Sequence, residues 1–82
     1  MAAPTVELIE HLVSGIVAHP DDVDVRAKQT RRGDLFEVRV NAEDLGKVIG
    51  RQGRTAAAIR TVAAAVAGDA ARIDFVDVDR RR

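Results

Sequence analysis

The chain has 82 residues, with 13 basic and 13 acidic side chains, two histidines, two phenylalanines and no Cys, Trp or Tyr. Leu, Ile, Val and Phe supply 23 of the 82 residues, too many for a disordered chain and enough for the core of one small domain. The lack of cysteine excludes a disulfide framework, a zinc–thiolate site and a cysteine nucleophile. With Phe36 and Phe75 as its only aromatic rings, the chain is not suited to recognition by rows of stacking rings.

The start of the chain, Met1-Ala2-Ala3-Pro4, has no basic region followed by an apolar run, so no secretory signal is expected. The longest apolar run, Val62 to Ala67, falls far short of the roughly 20 residues that span a bilayer. A cytoplasmic protein without a membrane partner is the expectation.

Residues 5 to 18 carry Val6, Ile9, Val13 and Ile16 at helical spacing, widened by Leu8, Leu12 and Val17. Thr5 is the expected N-cap and Pro20 the stop. Residues 22 to 30 alternate, with Val23, Val25 and Ala27 on one face and Asp22, Asp24, Arg26 and Lys28 on the other. After a turn at Arg32-Gly33-Asp34, the residues Phe36, Val38 and Val40 alternate with Glu37, Arg39 and Asn41. This pattern predicts a β-hairpin. Asn41 caps a short helix whose apolar face is Leu45, Val48 and Ile49 and which ends at Gly50. A second helix spans 54 to 67, with Ile59, Val62, Ala63 and Val66 as its buried stripe and Gly68 as its stop. The last strand covers 71 to 79. Its apolar phase shifts between Phe75 and Val76, through a bulge or a contact outside the monomer. The expected fold is α+β, ordered αββααβ, with three helices on a three-stranded sheet. Residues 1–79 form the expected domain and Arg80-Arg81-Arg82 a basic tail.

The chemistry concentrates in LGKVIGRQGRTAAAIR, residues 45 to 60. Only Gly50-Arg51-Gln52-Gly53 separates the two helices. From Lys47 to Thr61 the chain holds Lys47, Arg51, Arg54 and Arg60 and no acid. A glycine-bounded loop at a helix start presents unpaired N–H groups and the positive end of the dipole, which suits a phosphate. Glycines let a polymer backbone come close. Arg51 and Gln52 project between them. A cation at Arg54 opposes the dipole at a cost of roughly 0.3–1 kcal/mol, which makes sense beside a bound anion.

Val48-Ile49-Gly50-Arg51-Gln52-Gly53, followed by a helix carrying Ile59, resembles the KH domain signature, and the element order is that of the type II KH fold. KH domains use such a GxxG loop to clamp about four nucleotides of single-stranded nucleic acid. GKVIGRQGRTAAAIRTV, with the small size and single KH unit, is similar to the small bacterial KhpA-type family. The resemblance implies a non-catalytic single-stranded RNA binder. Gly50, Arg51, Gln52 and Gly53 would be its clamp, Ile49 an apolar groove position, and Lys47 and Arg54 flanking phosphate contacts. It also implies an RNA chaperone or post-transcriptional role, with a KhpB-type KH partner, a second copy in a homodimer, or both.

Other classes stay in view. A helix-hairpin-helix binder of DNA backbones also joins two helices by glycines, but it separates them by one residue and lies among helices. A P-loop is excluded because Gly46-Lys47-Val48-Ile49-Gly50 lacks the Gly-Lys-Ser/Thr ending. Ser14 is the only serine and has no plausible triad, so no enzyme is expected. His11 and His19 match no common metal spacing, and Asp21, Asp22 and Asp24 lack the rest of a calcium loop. No cofactor or metal is expected. An interaction module, with RNA binding secondary, is the main alternative.

The neutral total hides separated signs. Residues 1 to 25 carry −5, residues 47 to 62 carry +4, and residues 63 to 79 carry −3. The positive part falls on the loop suited to phosphate.

Overall fold

A computed structural model describes residues 3–68 and 70–78. Helix α1 spans Ala3–Ser14, strand β1 Asp24–Thr30, strand β2 Gly33–Val40, helix α2 Leu45–Ile49, helix α3 Arg54–Ala67 and strand β3 Arg72–Asp77. The order is the αββααβ expected, with short 3-10 turns at Pro20–Asp22, Ala42–Asp44 and Arg51–Gly53. The basic tail lies outside the described residues, as does Asp79.

The sheet has the order β1-β2-β3. β1 and β2 pair antiparallel, from Asp24 opposite Arg39 to Thr30 opposite Gly33. β2 and β3 pair parallel, from Leu35 opposite Arg72 to Val40 opposite Asp77. A parallel neighbour requires a crossover, and α2 with α3 supplies it. The helices cover the face formed by the rows Val25–Val38–Phe75 and Ala27–Phe36–Ile73. Phe36, Val38, Val40, Val48, Ile9 and Val13 are fully buried there, with Ile59, Ala63 and Ile73 nearly so.

Several local expectations shift. α1 begins at Ala3, so Thr5 lies inside the helix and its buried hydroxyl has no partner. Pro4 is compatible with a first turn, where its missing N–H would go unbonded anyway. α1 ends at Ser14 instead of continuing to 18: Gly15 and Val17 N–H still donate to His11 and Val13 C=O, but Ile16 N–H tightens onto Val13 C=O at 2.9 Å, and the two donors beyond Val17 leave the helical path. Ala18 N–H donates to Asp44 Oδ1 at 3.1 Å and His19 N–H donates to Asp44 Oδ2 at 2.9 Å. Ile16 therefore falls beyond the helix and is exposed. The hairpin reverses at Arg31-Arg32, one residue earlier than expected. Both keep negative φ while Gly33 carries φ +114°, which places the permissive residue after the turn rather than within it. The outer half of β1 runs past the helices, so Ala27 is exposed. On α3, Ala56, Ile59 and Ala63 face the core, whereas Val62 and Val66 do not. β3 pairs in continuous register without a bulge. Its phase shift puts Phe75 under the helices and Val76 on the open face beside Arg39.

Asn41 caps as expected, its side chain accepting from Glu43 N–H at 2.8 Å. The same amide donates to Asp22 at 2.9 Å. Asp44 is the buried partner of this junction, its side chain 1 % exposed. Burial works against its ionised form, but the Ala18 and His19 N–H groups, with His19 and Lys47 nearby, hold its pKa below the ordinary aspartate value. A depressed folded pKa gives stability that is present above the unfolded value, about 3.9, and lost as pH falls through the folded one. Asp44→Asn is expected to lower the urea midpoint at pH 7. The gap to wild type should narrow below about pH 4, which unfolding curves at stepped pH will show.

Candidate nucleic-acid interface

β2 delivers the chain through the Asn41 cap to α2, whose buried Val48 anchors it to the core. α2 is only five residues long and stops at Gly50, with φ +80° and ψ 171°. Only glycine tolerates that region readily. A Cβ on Gly50 would collide with the Thr55 side chain and lie 2.8 Å from its backbone nitrogen. Gly50 is thus required twice, by conformation and by contact. Thr55 went unnoticed in the sequence. Its only signal is its place two residues beyond the second glycine.

Arg51 to Gly53 make one tight turn, closed by Gly53 N–H donating to Gly50 C=O at 3.1 Å. Gln52 takes φ 57° and ψ 25° and is the only non-glycine with positive φ among the described residues. Gly53 follows at φ +76°, and a Cβ on it would meet nothing within 4 Å. Gly53 also forms the N-cap of α3 and supplies no side-chain acceptor. The first N–H groups of this 14-residue helix therefore face outward at its positive end. Arg51, Gln52 and Arg54 are all exposed around them. Among the described residues, neither Arg51 nor Arg54 has a carboxylate within ion-pair distance.

The other expected site residues are placed differently. Lys47 is exposed, but its Nζ lies 3.8 Å from Oδ1 of Asp44, which ends the turn leading into α2. Part of its charge is therefore shared. Ile49 is 38 % exposed and turns away from the core. Arg60, one of the local cations, sits with its guanidinium 5.5 Å from the centre of the Phe75 ring. That is a cation–π contact across α3 and β3, away from the loop. α2 and α3 both pack against β3, so the loop opens onto a surface bounded by two helices and an edge strand. His19 pairs with Glu43 at 3.0 Å, and no metal-ligating group of three His, Cys, Asp or Glu occurs among the described residues. Among them, no helix is long and apolar enough to cross a membrane.

This arrangement can hold an anion by backbone N–H groups, with two exposed arginines beside it. The family model for the KhpA/KhpB KH domain matches residues 6–78. The chain belongs to the KhpA/KhpB family of KH domains. KH domains of this family are a non-catalytic kind of domain. The chain is 59 % identical over 76 residues to a protein of Streptomyces coelicolor named RNA-binding protein KhpA, covering 93 % of this chain and 96 % of that one. It is 54 % identical over 80 residues to the RNA-binding protein KhpA of Mycobacterium tuberculosis, covering 98 % of this chain and all of that one. It is 58 % identical over 78 residues to the protein of that name from Leifsonia xyli, covering 94 % of this chain and 99 % of that one. No solved structure matches.

The two loop glycines should respond unequally. Gly53→Ala bears only the left-handed penalty, roughly 1–2 kcal/mol. Gly50→Ala adds the collision with Thr55, so its urea midpoint should fall further. Thr55→Ala should recover part of the Gly50→Ala loss and none of the Gly53→Ala loss.

Proposed function

We propose that this chain binds single-stranded RNA without catalysis, as one domain over residues 1–79, by gripping phosphates with the Gly50–Gly53 loop. The observation that carries this reading is the glycine-bounded turn on the uncapped start of α3, flanked by Arg51 and Arg54, which have no carboxylate partner among the described residues, in a KH domain whose relatives are named RNA-binding proteins. Gly50 and Gly53 let the backbone approach, Arg51 and Gln52 reach phosphates or sugars, and Ile49 offers an apolar contact to a base. Arg54 and the partly shared Lys47 flank the path. The role is that of an RNA chaperone or post-transcriptional regulator in the cytoplasm, working with a second KH-type protein.

Replacing Arg51 and Gln52 together by Asp puts two carboxylates against the phosphates and leaves both glycines in place. RNA binding in an electrophoretic shift assay should be lost while the circular dichroism spectrum stays unchanged. Retained affinity would remove the loop from the site. With Lys47, Arg51 and Arg54 as the contacts, log affinity for a four-nucleotide RNA should fall with log salt at a slope of about −2.

A second reading, as an interaction module, has its own observation. A largely apolar cleft of about 400 Å³ runs between α1 and α3, lined by Leu12, Ile16, Ile59 and Val62 among others. Val66 stands exposed further along α3. Small cores gain from a partner, and this cleft is the surface suited to a second copy or a KhpB-type protein. Val62→Asp should shift sedimentation at micromolar concentration toward the monomer and leave RNA affinity unchanged. A wild-type chain that already sediments as a monomer would overturn self-association.

A further inference from the structure

The cations on the sheet fall into two groups. Arg26 is paired with Asp24 at 2.9 Å, Lys28 with Glu37 at 3.6 Å, and Arg39 with Glu37 at 2.8 Å. Arg31, Arg32 and Arg72 have no such carboxylate among the described residues, and all three are exposed. They also lie together. The Thr30 hydroxyl donates to Gly33 C=O at 2.7 Å and accepts from Arg32 N–H at 3.2 Å and Arg72 Nη2 at 2.8 Å. One hydroxyl therefore sets the hairpin turn and holds the Arg72 guanidinium against it. The turn is seated on the α3–β3 connection, where a Cβ on Gly33 would come within 3.0 Å of the Ala70 side chain.

This cluster sits at the opposite end of α3 from the Gly50–Gly53 loop. Fourteen helical residues span about 21 Å. Between the ends lies a cleft of about 450 Å³, lined by Leu35, Arg60, Ala71, Arg72, Ile73 and Asp74. β3 borders it as an edge strand, hydrogen-bonded among the described residues only to β2, so its outer backbone groups can take base edges. Asp74 is the one carboxylate in the lining. A carboxylate repels phosphate and can accept from base amino groups, so this lining suits base edges and the arginines suit phosphates.

The geometry points to a second phosphate-binding site at Arg31, Arg32 and Arg72, oriented by Thr30, for the continuation of the RNA strand held at the loop. The inference rests on the proposed RNA binding and extends its footprint. At about 3.4 Å per stacked nucleotide, 21 Å corresponds to about six nucleotides.

The test uses the full chain and random-sequence RNAs of about 4 and 12 nucleotides, bracketing the loop footprint. The variants are R31Q/R32Q/R72Q and, keeping the Arg72–Thr30 contact, R31Q/R32Q. The triple variant should bind the short RNA like wild type and the long RNA at least about tenfold more weakly. The wild-type salt slope on the long RNA should be steeper than on the short one by about 2, the share of three cations. That excess should vanish in the triple variant and shrink to about 1 in the double. Wild-type affinity and slope for the long RNA in both variants would overturn the second site. The Arg51→Asp, Gln52→Asp protein separates the two readings. If it still binds the short RNA, the loop assignment has failed, while loss of long-RNA binding in the hairpin variants would still uphold the second site.

Discussion

The Asp44 carboxylate holds together two parts of the chain that are far apart in sequence. It is buried at the start of α2 and accepts the backbone N–H groups of Ala18 and His19. Those donors would otherwise extend α1 or go unpaired, and a buried unpaired donor costs about 1–3 kcal/mol. One contact therefore turns the chain out of the helical path at Ala18, directs it through the Pro20–Asp22 turn into β1, and fixes where α2 begins. Asn41 reinforces the junction from the other side by capping the Ala42–Asp44 turn and bonding Asp22. α2 is too short to hold its own direction. The position of the Gly50–Gly53 loop therefore depends on this junction and on Val48 below it.

From that start, steric exclusion does the rest. Gly50 and Thr55 are packed so closely that no side chain fits between them. The turn from α2 to α3 thus has little freedom, and the α3 N–H groups are aimed before any ligand arrives. Preorganisation of this kind lowers the entropy cost of binding. It suits a chain with little aromatic surface, because grip then comes from backbone groups and guanidinium charge.

Net charge is a poor guide to such a molecule. Thirteen bases and thirteen acids cancel on paper, yet the structure sorts them. On the open sheet face, Arg26, Lys28 and Arg39 are held by Asp24 and Glu37. Arg39 hydrogen-bonds Glu37 and, with Lys28 and against some burial, holds the Glu37 carboxyl below the usual glutamate range. Arg60 is spent over Phe75. Arg51 and Arg54 at one end of α3, and Arg31, Arg32 and Arg72 at the other, are left facing solvent without carboxylate partners among the described residues.

Local patterning determined much of this protein. The alternation of Phe36, Val38 and Val40, the span of α3 from Arg54 to Ala67, the Asn41 cap and the Gly50 stop were all legible, because each depends on neighbours within a few residues. So were the loop and its cations, which lie within eight consecutive positions. Tertiary structure alone decided the rest. The path of the chain out of α1 depended on an acceptor 26 residues from Ala18. The faces of Val62 and Val66 depended on which side of α3 met α1 and the sheet. Lys47, Arg51 and Arg60 belong to one acid-free run along the chain, yet packing gave Lys47 a shared charge and Arg60 an aromatic ring. Arg72 met Thr30 across 42 residues. Periodicity reports which face of an element is apolar; only the packed chain shows which groups reach each other across it.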